Sequence, residues 1–75
     1  MKGMLEEVRR ARHMPWLKRG MLIDMNGKRY RVTGGNSQMN INAKPVDGGP
    51  VGRLHPWWQT TYYGENGEVI ADYKK

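Results

Sequence analysis

The stretch Gly20-Met21-Leu22-Ile23-Asp24-Met25-Asn26-Gly27-Lys28-Arg29-Tyr30-Arg31-Val32-Thr33 decides the fold. Asn26-Gly27 supplies the positive φ angles of a two-residue type I′ turn, and the residues on either side repeat with a period of two. That combination predicts a β-hairpin with a fixed register. Met21 faces Val32, Ile23 faces Tyr30, and Asp24 faces Arg29. Downstream, Gly34-Gly35-Asn36-Ser37 reads as a turn into a strand over residues 38–44, where Met39, Ile41 and Ala43 alternate with Gln38, Asn40, Asn42 and Lys44. A four-residue loop there sets Val32 against Met39 and Tyr30 against Ile41. Both registers put Met21, Ile23, Tyr30, Val32, Met39 and Ile41 on one inner face, which leaves Asp24, Arg29, Arg31, Asn40 and Asn42 outside.

Upstream of the hairpin, Met4, Leu5, Val8 and Ala11 recur at the spacing of one helical face, so residues 2–14 are expected to form a helix that Pro15 ends. Glu6 and Glu7 near its start and Arg10 and Arg12 near its end complement the helix dipole. A helix this short is marginal alone and must dock. Trp16 and Leu17 are its natural anchors, with Lys18 and Arg19 outward. Past the hairpin, residues 45–50 are a Pro/Gly loop, residues 51–54 a short strand, and His55-Pro56-Trp57 a break. Residues 58–63 and 68–73 then flank Gly64-Glu65-Asn66-Gly67 as a last hairpin, whose loop is either Asn66-Gly67 or all four residues. On one face of the first of these strands Trp58 and Tyr62 are expected to point inward, with Trp57 and Tyr63 on the other.

The expectation is one mainly β domain with an N-terminal helix (α+β), residues 2–14 helical and residues 20–73 a small barrel of five to six short antiparallel strands. The segment from Gly20 to Gly27, followed by Tyr30 and Val32, resembles the opening hairpin of small SH3-like barrels, including those with KOW motifs, although the glycine usual between Lys28 and Val32 in a KOW motif is missing. The helix leading into Trp16-Leu17-Lys18-Arg19-Gly20 is also similar to small phage and prophage proteins.

With 75 residues the core must be compact, and the absence of cysteine removes disulfides, thiolate metal sites and cysteine nucleophiles. The chain shows no long apolar run and no basic-then-apolar signal pattern, so a soluble, cytoplasmic protein without integral membrane association is expected. Catalysis is argued against by elimination. Ser37, the sole serine, lies in a turn, and His13 and His55 have neither triad partners nor ligand-like spacing to one another or to acids. No phosphate loop, dinucleotide motif or paired carboxylates are present, and Gly49-Pro50-Val51-Gly52 lacks the helices that a nucleic-acid-clamping loop of that pattern joins. No enzyme activity, cofactor or metal is expected.

Charge points elsewhere. The formal net charge is +6, and from Arg9 to Arg31 eight basic residues face one acid, Asp24. Such asymmetry suggests a polyanion, either nucleic acid or an acidic protein surface. Arg29 and Arg31 beside Asn40 and Asn42 would offer charge for phosphates and amides for bases or sugars, extended by Lys28 and Lys44, while Arg9, Arg10, Arg12, Lys18 and Arg19 add backbone contacts. The alternative is a protein-interaction or assembly module in which His55, Trp57 and Tyr63 supply the apolar centre of an interface. Simpler roles exist for each: Asp24 and Arg29 as a cross-strand pair, and the aromatic group as core in a chain without phenylalanine.

Overall fold

A computed structural model describes residues 4–73; the expected helical positions 2 and 3 lie outside the described residues. The elements are α1 (Leu5–Ala11), β1 (Leu22–Met25), β2 (Lys28–Gly35), β3 (Ile41–Pro45), β4 (Gly52–Leu54), β5 (Thr60–Tyr63) and β6 (Val69–Asp72). All neighbouring strands are antiparallel and form one sheet in the order β4-β3-β2-β1-β5-β6. The expected barrel is not closed: among the described residues β4 and β6 end the sheet without pairing to each other.

The helix is shorter than its periodicity implied. The amide of Met14 donates to the Arg9 carbonyl (2.8 Å) and that of His13 to the Arg10 carbonyl (3.4 Å), while His13 takes φ 58°. This is a Schellman ending with histidine in the left-handed position, and Pro15 disfavours further helix. Past the turn Met14 is fully buried, in one cluster with Val8 and Leu17. Those residues form the core with Leu5, Met21, Ile23, Val32, Ile41, Ala43, Leu54 and Tyr62, while Tyr30 and Met39 pack against it half-buried.

The β1–β2 register is the expected one, with Ile23 opposite Tyr30, Asp24 opposite Arg29, and Asn26 (φ 52°) and Gly27 (φ 83°) in the turn. The β2–β3 register differs. Val32 pairs with Ala43 and Tyr30 with Pro45, a slip of four residues that keeps the inner face because the number is even. Gly34 and Gly35 belong to the strand instead of the turn. A bulge between Val32 and Gly34 turns Gly35 inward opposite Ile41, where a Cβ would come within 2.9 Å of the Leu5 backbone and 2.8 Å of Val8 Cγ2. Only glycine lets the helix approach so closely. The true loop is residues 36–40, where the Asn36 carboxamide oxygen accepts from the amides of Gln38 (3.1 Å) and Asn40 (3.3 Å). Asn40 therefore precedes β3 rather than lying in it.

At the other end, β5 starts at Thr60, two residues later than its alternation implied, because the chain turns through residues 56–59 and Gln59 takes φ 49°. Trp58 is consequently exposed rather than inward, while Tyr62 is fully buried as expected. In the last hairpin Tyr63 pairs with Val69, so the loop is residues 64–68, one longer than the longer alternative.

Burial raises the Tyr62 hydroxyl well above the usual phenol range, with Tyr73 adding to the rise and Arg12 opposing it. The unfolded chain then ionises first, from about pH 10. Stability linked to this group is whole below that pH and is lost as pH rises through the folded-state value, by about 1.4 kcal/mol per pH unit. Thermal melts between about pH 8 and about pH 11 should show a break near pH 10, and Y62F should flatten it.

Candidate nucleic-acid interface

Strand alternation and the β2 bulge together decide which side chains share the outer face. Arg31 stands directly opposite Lys44, and Asn42 stands opposite Arg53. Asn42 and Lys44 are two apart on β3, so Lys44 and Arg53 are diagonal neighbours. Gly34, opposite Asn42, turns its missing side chain to this same face, and Arg19 Nη2 lies 4.0 Å from where a Cβ would be. The guanidinium of Arg19 thus reaches over the sheet toward the row that ends in Arg53. All four cations are exposed, and among the described residues none has an acid within ion-pair distance. Arg31 is steadied by donating to the Gly20 carbonyl at 2.8 Å.

The other expected site residues are placed differently. Arg29 grips Asp24 with Nε (2.8 Å) and Nη2 (3.2 Å), and Tyr63 donates its hydroxyl to the same carboxylate at 2.8 Å beneath the Arg29 guanidinium. The hydrogen bond to Asp24 is the main cause of the raised pKa of both Arg29 and Tyr63. This is the cross-strand pair weighed from sequence, and it ties Arg29 to an acid. The amides are also engaged. Asn42 accepts from Asn36 (3.0 Å) and donates to the Gly35 carbonyl (3.4 Å), and Asn40 accepts from Arg12 Nη2 (3.2 Å). Lys28 does not extend the outer face, since it shares the side of Tyr30 and sits 5.9 Å from that ring.

Of the helix-end cluster, Arg9 and Arg12 are structural. Arg9 Nε donates to the Leu17 carbonyl (2.6 Å), and Arg12 Nε to the Met39 carbonyl (2.9 Å). Arg10 and Lys18 make exposed ion pairs with Glu7 (3.4 Å) and Glu65 (3.5 Å). The Lys18–Glu65 pair spans a groove of about 800 Å³ between residues 15–22 and the β5–β6 loop, with Trp16 and Ile70 among its lining.

Arg53 was missed by sequence reasoning, although its signal was there: alternation within residues 51–54 puts it opposite in direction to buried Leu54. The His55-Trp57-Trp58 segment forms a shallow hollow of about 280 Å³, whereas Tyr63 is engaged with Asp24 and Arg29. Among the described residues no three His, Asp or Glu side chains gather as a metal site, and no helix is long and apolar enough to cross a membrane. No protein family, curated protein or solved structure matches this chain.

Proposed function

We propose that this protein is a small cytoplasmic, non-enzymatic binding module that holds nucleic acid on the outer face of its sheet, with Arg19, Arg31, Lys44 and Arg53 contacting phosphates. One observation carries the reading: Arg31 sits directly across from Lys44, with Arg53 on the diagonal and no acid paired to any of them among the described residues. Like charges directly opposite on a sheet are destabilising, so the arrangement works against the fold while suiting a polyanion. The finer architecture belongs to the same reading. The β1–β4 meander with β5 returning to the free side of β1 is read as an SH3-like sheet left open between its last strands.

Titration of labelled single- and double-stranded DNA and RNA at about 50 mM and about 200 mM salt tests this. With three to five phosphates neutralised, the slope of log affinity against log salt should lie between about −2 and about −4.5. Absence of binding at the lower salt would refute the function.

A further inference from the structure

We infer that Trp57 and Trp58 are a stacking platform for unpaired nucleobases, so that the bound polynucleotide is single-stranded where it passes the β4–β5 turn. This rests on the nucleic-acid reading above and names the kind of strand that the module takes.

Three observations meet at the turn. First, the chain has three tryptophans and no phenylalanine, yet Trp57 is 42% and Trp58 53% exposed. Among the described residues the Trp58 ring has no aromatic, cationic or hydrogen-bonding partner. Second, the exposure is built in. The Trp57 amide donates to His55 Nδ1 (3.1 Å), the Trp58 amide to the His55 carbonyl (3.2 Å), Thr60 Oγ1 to the Trp58 carbonyl (2.5 Å), and the buried Tyr62 hydroxyl to the Pro56 carbonyl (2.6 Å). A turn held at both ends and in the middle presents its rings without waiting for a ligand to order them, which lowers the entropic cost of binding.

Third, the electrostatic surroundings choose the partner. Arg12 lies 5.2 Å from the Trp57 ring centroid and is fixed there by donating to the Met39 carbonyl and the Asn40 carboxamide oxygen. Arg53 precedes His55 by two residues, so the row of sheet cations ends on the strand that leads into the platform's turn. Exposed aromatic rings continuous with fixed positive charge suit a chain that alternates phosphates with flat π-faces. A duplex hides those faces in its own stack, which leaves unpaired bases as the occupant.

The test uses the full chain with oligo-dT, oligo-rU and a duplex, each of about 15 nucleotides, followed by fluorescence anisotropy. Trp58→Ala is the informative variant because among the described residues that ring has no aromatic, cationic or hydrogen-bonding partner, and circular dichroism melts should confirm an unchanged fold. It should weaken binding of one or both single strands by about 5- to 150-fold, leave duplex affinity within about twofold, and be rescued by Trp58→Phe. The two single-stranded arms tell whether DNA, RNA or both are stacked. If wild type binds no oligonucleotide, the proposed function fails and the platform with it. If wild type binds and Trp58→Ala binds equally well, or loses single strand and duplex alike, the platform alone is overturned. Unchanged binding would return the tryptophan pair to a protein partner.

Discussion

Truncation of Tyr62 to alanine is expected to remove a large part of the stability of the fold. Its ring is fully buried and meets Trp16 edge-on at 5.0 Å and Tyr73 at 5.9 Å, while its backbone stands between Ile23 of β1 and Ala71 of β6. One side chain therefore joins the segment after the helix, the turn before β5 and the C-terminal strand. Removing a buried aromatic ring costs about 3–5 kcal/mol, against about 4–11 kcal/mol for the stability of a whole domain of this size. The corresponding fall in Tm is about 12–40 °C, read by near-ultraviolet circular dichroism. Y62F removes only the hydroxyl bonded to Pro56 and should cost about 1 kcal/mol, or about 4–8 °C. Equal losses in the two variants would shift the weight from ring packing to that single hydrogen bond.

The second large effect is on affinity and should leave the fold intact. Replacing Arg19, Arg31, Lys44 and Arg53 together by glutamine is expected to reduce the steepness of the salt dependence by about 3. Melting should be unchanged or slightly higher, because the Arg31–Lys44 repulsion, about 0.2–1 kcal/mol for such a pair, disappears. The control removes cations away from that face: Arg10, Lys18 and Lys28, of which the first two already pair with acids. If the control loses as much affinity per charge, the ligand senses total charge and the arrangement on the sheet is immaterial.

How much of this was legible follows from how local each determinant is. Asn26-Gly27 sets its hairpin by its own φ angles, so the pairing of Ile23 with Tyr30 came out right. Gly34-Gly35 carries the same chemical signature and misleads, since the pair lies in β2 and Gly35 makes room for the helix. That reason is tertiary. Alternation correctly placed Arg31 and Lys44 outside and could have done the same for Arg53, but its position diagonal to Lys44 needed the β3–β4 pairing, which no turn residue announces. The amides of Asn40 and Asn42 looked available because their partners, Arg12 and Asn36, come from elsewhere in the chain. Trp58 was misplaced by extending an ideal strand through Gln59, whose positive φ breaks it.

The unclosed sheet has a consequence for handling the protein at high concentration. Its two terminal strands each leave a row of backbone donors and acceptors that another molecule's strand can template on. Both rows are short, three residues in β4 and four in β6, and β4 also carries the charge of Arg53, so growth of fibrils is poorly seeded there. Strand β6 is the weaker guard, because Val69 (57% exposed) and Ile70 (37%) lie beside its bare row. That margin is where aggregation from the native state is expected to begin.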